Sequence, residues 1–204
     1  ESTPPPDQHF DGYTQSKMES EKLALQYHKD KGYPIVVLRP GFIYGPRDRT
    51  VLPRLMEKLK TKEVKYIGSS SYAMNNIFVG NLVQAAFLAL DNPNAVGQVF
   101  NLTDGEKVSK KRFITTIAKG MNLPTPFFLP VPLWLVKLIA SSMEKKALKR
   151  GALEAPKITK ANIKFLGLNL DFSIEKAKRI LGYAPAKTFD EGMAETLNWY
   201  KNKS

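Results

Sequence analysis

Tyr33-Pro34-Ile35-Val36-Val37-Leu38-Arg39-Pro40-Gly41 decides the fold. Its apolar, β-branched centre follows Lys31-Gly32 and reads as a strand buried on both faces, the pattern of a parallel sheet. Arg39-Pro40-Gly41 ends the strand. In open α/β sheets ligands bind just outside the carboxyl ends of the strands, so residues 40–43 fall where a binding site belongs. Pro40 withdraws its own donor and Gly41 permits close approach, which lets neighbouring backbone groups meet a flat amide. The plainer alternative is a strand-ending turn.

Upstream, residues 12–31 carry helical spacing, with Met18, Leu23, Leu25 and Tyr27 on a mixed apolar face and Gly32 as the stop. Tyr13-Thr14-Gln15-Ser16-Lys17 opens this helix. The four-residue spacing puts Tyr13 and Lys17 on one face. There an ammonium favours the phenolate of a group whose free pKa, near ~10, is too high for base chemistry at neutral pH. Tyr27 and Lys31, and Tyr183 and Lys187, share the spacing. Pro185 interrupts the last pair and Tyr27 lies in a closing turn, so both pairs read as structural.

Downstream, short apolar runs predict strands over 35–38, 64–67, 76–79 and 99–102, fewer than a doubly wound nucleotide domain requires. Helical spacing marks 49–60 and 79–90, and a helix capped by Ser109 runs through Ala118. Beyond Pro130 the pattern becomes mostly helical, with helices expected near 132–147, 156–164, 173–181 and 189–202, the third stopped by Gly182.

The balance of 31 Lys and Arg against 19 Asp and Glu gives a formal charge of +12. The basic residues are scattered along helices that also carry acids and no nucleic-acid motif occurs, so nucleic-acid binding is not the reading. The absence of cysteine removes disulfides and thiolate catalysis and suits a cytoplasmic, reducing compartment. His9 and His28 have no companions at metal-ligand spacing, so no metal site is expected. The most apolar stretch, 127–143, contains Lys137, Pro130 and Pro132 and is too short for the ~20 residues of a span. It is expected to pack over a substrate pocket. Peripheral contact with an anionic bilayer, aided by Lys145, Lys146, Lys149 and Arg150, is a secondary expectation.

Several ordered motifs together resemble the extended short-chain dehydrogenase/reductases, or NAD-dependent epimerase/dehydratase family. Tyr13, Ser16-Lys17 and Glu21 resemble its helix pattern, and Leu38 to Pro46 its strand-loop motif. Asn76-Ile77-Phe78-Val79-Gly80-Asn81 resembles its later strand-helix junction, and Phe172 to Pro185 with Phe189-Asp190-Glu191-Gly192 its terminal segment. The resemblance implies the carboxyl-terminal part of a Rossmann-type doubly wound parallel sheet plus a smaller, mostly helical substrate lobe. Residues 1–102 would complete the cofactor domain, with interleaved substrate-lobe segments, and 103–204 would form the substrate lobe. It implies Tyr13 as general acid/base and Lys17 as the residue that lowers its pKa and bonds the nicotinamide ribose. Tyr13, Lys17, Pro40, Gly41, Phe42 and Ile43 would contact NAD or NADP, and Thr3, Tyr44 and Arg47 the substrate.

The closely spaced glycines of a dinucleotide-binding βαβ unit are missing, and Gly41 and Gly45, the closest pair, do not make that fingerprint. Glu1-Ser2-Thr3-Pro4 resembles the loop just before the catalytic helix, so the chain reads as a C-terminal fragment whose catalytic serine or threonine lies upstream. Alone, the fragment is expected to be inactive and to unfold over a broad, noncooperative transition. The full-length protein is expected to form a homodimer through a helix such as 12–31.

Nucleotide-sugar enzymes of the family place arginines before the late helix, because planar bidentate donors suit a diphosphate. This chain has Tyr72-Ala73-Met74-Asn75-Asn76 there, and Gly80-Asn81 where sugar-modifying relatives carry acids. Both departures, with the apolar 127–143 stretch, look more like the 3-beta-hydroxysteroid dehydrogenase branch. The expected activity is hydride transfer between the nicotinamide and an apolar secondary alcohol or ketone. A nucleotide-sugar epimerase or dehydratase is the alternative, and a noncatalytic cofactor-binding relative the third reading.

Overall fold

The structure is a computed structural model that describes residues 12–126, 131, 132, 134–136, 138, 141, 142, 167 and 169–203. Its strands are β1 (Val37–Pro40), β2 (Phe42–Tyr44), β3 (Ala73–Met74), β4 (Asn76–Phe78), β5 (Val99–Leu102) and β6 (Val108–Ser109). The helices are α1 (Gly12–Lys31), α2 (Val51–Lys60), α3 (Val79–Leu90), α4 (Lys110–Gly120), α5 (Glu175–Leu181) and α6 (Phe189–Lys203). β1 runs parallel to β5, with Val37 opposite Val99 and Pro40 opposite Leu102. β2 runs parallel to β4, and β3 pairs antiparallel with β6. Parallel pairs need long crossovers, and α3 lies in the one from β1 to β5. This is an α/β fold with parallel strand pairs, as the run at 33–38 predicts, but the strand begins only at Val37 and is part-buried, not buried on both faces, and Tyr33 is 54% exposed.

Gly41 is where the chain changes partner. Its amide donates to Leu102 O at 2.9 Å, and the next amide, of Phe42, donates to Asn75 O at 2.5 Å. A Cβ at residue 41 would stand 1.9 Å from the Asn75 carbonyl oxygen, so only glycine lets β1 hand over to β2 at this point. The segment read as a loop after Pro40 is therefore a second short strand from Phe42 onward. Three residues are too few to reveal a period of two in sequence.

The helix ends follow local chemistry. α1 stops at Gly32 (φ 72°) and α5 at Gly182 (φ 65°), both left-handed. Ser109 Oγ accepts from Arg112 N at 3.0 Å and caps α4 as expected. Asp48 opens α2, accepting from the amides of Thr50, Val51 and Leu52 at 2.8, 3.1 and 2.9 Å. Burial works the other way, but these amides hold the Asp48 carboxyl below its usual range.

Two apolar clusters hold the elements together, and each draws residues from both sides of residue 102. One gathers Tyr44, Leu52, Phe78, Phe113, Phe189 and Met193, and the other Ile77, Phe100, Leu102, Ile174 and Leu181. In the first, the Tyr44 ring meets Phe78, Phe113 and Phe189 at centroid distances of 5.7, 5.8 and 5.8 Å.

The expected strand at 64–67 is a correction. Only Ile67 bridges, to Val131, because Gly68 turns the chain immediately afterwards at φ 66°. The expected helix at 156–164 lies outside the described residues, as does most of 127–143. Within that stretch Val136 is buried while Trp134 and Leu138 are 63% and 61% exposed. No helix among the described residues is long and apolar enough to cross a membrane.

Candidate active site

Tyr13 stands in the first turn of α1, with 74% of its surface exposed. Lys17, one turn on, places Nζ 5.7 Å from the centre of the Tyr13 ring. The helical spacing read from sequence thus brings phenol and ammonium together on an open face. Ser16 between them turns inward to its own backbone, its hydroxyl donating to Tyr13 O at 2.8 Å.

Pro40 ends β1 and is exposed, Gly41 and Phe42 are half-buried, and Ile43 is 44% exposed within β2. The carboxyl end of β1 therefore presents an open apolar edge, not a closed core. It is joined to α1 by Arg39, whose Nε donates to Glu21 Oε2 at 2.8 Å and whose Nη2 pairs with Glu21 Oε1.

The remaining sequence candidates separate. Arg47 sits exposed in a left-handed turn (φ 68°) ahead of α2, and Thr3 lies outside the described residues. Tyr44 is a correction in placement: it is 1% exposed and its hydroxyl donates to Asp104 Oδ2 at 3.0 Å, so the side chain is directed into the core. The strand period explains this, since neighbours along β2 face opposite sides and the exposed Ile43 requires a buried Tyr44. The other tyrosine–lysine pairs stand in different surroundings. Tyr183 is buried and donates to Thr103 O at 3.0 Å, and Tyr27 stacks on Tyr33 with centroids 6.3 Å apart.

A second polar assembly leaves no mark in the sequence pattern. Asp104, just after β5 and 6% exposed, accepts from Tyr44 Oη, Asn76 Nδ2, Phe78 N and Asn81 Nδ2 at 2.8–3.0 Å. Asn81 in turn accepts from Lys187 N at 3.0 Å and donates to Lys187 O at 2.8 Å, tying the approach to α6 into the knot. Burial raises the Asp104 pKa although its four donors pull it down, and burial with the Asp104 charge pushes the Tyr44 phenol far up. The partners of Asp104 stand 23 to 60 residues away, so no local signal marks it in the sequence.

No group of His, Cys, Asp and Glu among the described residues is arranged to hold a metal. What the open face offers is a phenol, an ammonium and an apolar strand end.

The chain is similar to proteins of known kind. The chain is 30% identical to a sterol-4-alpha-carboxylate 3-dehydrogenase (decarboxylating) of Schizosaccharomyces pombe over 98% of its own length and 59% of the relative's. It is 29% identical to a UDP-glucose 4-epimerase of Vibrio cholerae over 91% of its length and 52% of the relative's. The UDP-glucuronic acid 4-epimerase of Bacillus cereus, solved in complex with UDP-glucuronic acid and NAD, superposes with a TM-score of 0.66 at 20% identity, covering 100% of this chain and 58% of that one. The chain thus spans little more than half the length of the relatives it matches. Residues 1–103 match the sequence profile of the NAD dependent epimerase/dehydratase family, and the chain belongs to that family.

Proposed function

We propose that the protein is an NAD(P)-dependent oxidoreductase that moves a hydride between the nicotinamide and an apolar secondary alcohol or ketone of the hydroxysteroid kind. The observation that carries this reading is the Tyr13–Lys17 pair, Lys17 Nζ 5.7 Å from the centre of the Tyr13 ring, on an exposed helix start that is linked to the Pro40–Ile43 strand end. The residues present fit a nicotinamide nucleoside: Lys17 can donate to a ribose hydroxyl, and the exposed Pro40 and Ile43 suit a flat ring. When bound, the cofactor supplies the hydride chemistry. Tyr13 takes the hydroxyl proton as the carbonyl forms and returns it in the reverse direction, with the Lys17 ammonium one turn away. Pro40 to Ile43 orient one face of the site.

The apolar substrate class is supported by Met74, which packs beside the Tyr44 cluster where a diphosphate-binding enzyme would want an arginine. It is supported too by the sterol dehydrogenase relative. Arg47, exposed on its turn, and Thr3 remain candidates for a polar substituent of the substrate. Cytoplasmic residence and a two-fold dimer through α1 belong to the same reading.

A nucleotide-sugar epimerase is the second reading, favoured by the Vibrio cholerae relative. Net NAD reduction separates the two, because an epimerase recycles its cofactor. The natural polypeptide carrying this chain, given NAD and a panel of 3-beta-hydroxysteroids, is expected to accumulate NADH. Conversion of UDP-sugars with no net NADH and silence on the steroids would replace the first reading by the second.

A further inference from the structure

We infer that Glu21 and Arg39 form a positioning pair that sets the distance between the acid/base helix and the strand end serving the nicotinamide. This inference rests on the reading of Tyr13 and Lys17 given above and assigns a role to two residues that touch neither substrate nor cofactor.

α1 and β1 are consecutive and run in opposite directions, so the start of the helix lies toward the carboxyl end of the strand. At the far end the helix is held by His28. Its Nδ1 meets Tyr33 O at 2.6 Å, and its ring fills the space a side chain at Gly97 would need, with a Cβ there falling 2.5 Å from Nε2. Nearer the start, Met18 is the one buried residue of α1. An apolar contact resists separation of helix and strand but leaves sliding and rotation cheap. The directional hold is Glu21–Arg39, a paired carboxylate and guanidinium with two contacts, the partners 20% and 34% exposed.

Its location is what matters. Glu21 follows Lys17 by one turn, about 6 Å along the axis, and Tyr13 by about 12 Å. Arg39 immediately precedes Pro40. One planar two-contact pair therefore couples the face bearing Tyr13 and Lys17 to the first residue of the strand end. Without it the helix start keeps its packing but loses the link that fixes register, and a displacement near 1 Å in a hydride-transfer site costs up to about 100-fold in rate. The pair is part-buried and bidentate, so its loss also costs stability, and the rate is therefore read per folded molecule.

The test uses the natural polypeptide that carries this chain, with a 3-beta-hydroxysteroid deuterated at the carbinol carbon as probe. Glu21→Gln, Arg39→Met and the reversed pair Glu21→Arg/Arg39→Glu are compared with wild type, and circular dichroism fixes the folded fraction. The single variants are expected to lose about 10- to 100-fold in kcat with KM changed only a few-fold. Their primary isotope effect on kcat should rise as hydride transfer becomes limiting, and the reversed pair should recover most of the loss. Folded single variants with kcat within about twofold of wild type and an unchanged isotope effect would overturn the inference, as would a folded reversed pair no faster than the singles. Full turnover by Tyr13→Phe, or no oxidation of any alcohol by wild type, would instead overturn the reading on which the pair depends.

Discussion

The junction at Asp104 and the first turns of α1 treat polar groups in opposite ways. Asp104, Tyr44 and Asn81 are 6%, 1% and 0% exposed and meet one another and the backbone through directed hydrogen bonds. Tyr13 is 74% exposed, with an ammonium over its ring. The strongly shifted ionisations of Tyr44 and Tyr183 surround the first assembly, yet their common cause is burial, and every phenol there is spent on a structural acceptor. A shifted pKa marks function only when the group can also reach a ligand. Here the shifted groups hold β2, β4, β5 and α6 together, while the groups that can reach a ligand stand on a surface.

The sharpest way to break this contrast is Asp104→Ala. It strands four donors in a dry site and is expected to lower unfolding free energy by about 3 to 5 kcal/mol, read by urea denaturation, while the folded fraction keeps its turnover. A loss of turnover beyond the loss of fold would move Asp104 into the working site.

Lys110 extends the comparison to pH. It is 5% exposed, its Nζ lies 5.4 Å over the Tyr72 ring, and burial lowers its pKa to about 8. Between that value and the ordinary lysine value the unfolded chain holds a proton that the folded one has released. Stability therefore gains from this group as pH rises through that window. The gain, at most about 3 kcal/mol, should appear as wild type gaining stability relative to Lys110→Met from pH 8 to 9.5. A constant gap would mean that Lys110 titrates normally.

Tyr44→Phe should have the smallest effect, about 1 kcal/mol, because Asp104 keeps three donors when the hydroxyl is lost. Unfolding midpoints measure this directly. A loss of substrate affinity without loss of stability would return Tyr44 to the substrate site.

What the sequence disclosed follows the range of the interactions. The helix at 12–31, the helix at 79–90, the Ser109 cap and the Gly182 stop rest on contacts within a turn or two, and the structure has them where the pattern put them. The pairing of Tyr13 with Lys17 was equally local. The partner exchange at Gly41, the short strand β2 and the inward turn of Tyr44 depend on neighbours supplied by residues 75, 76–78 and 104, and β3 and β6 depend on each other across 34 residues or more, which no local period announces. The Glu21–Arg39 link, 18 residues apart, belongs to the same class: both residues stood in quoted motifs, but nothing in either motif pointed to the other.

Turnover of Tyr13→Phe in the natural polypeptide carrying this chain tests the central claim most directly, because the exposed hydroxyl contributes nothing to the core. The account predicts a loss of about 100- to 10,000-fold in steady-state alcohol oxidation with an unchanged unfolding midpoint. Oxidation within about twofold of wild type by a folded Tyr13→Phe protein would contradict it.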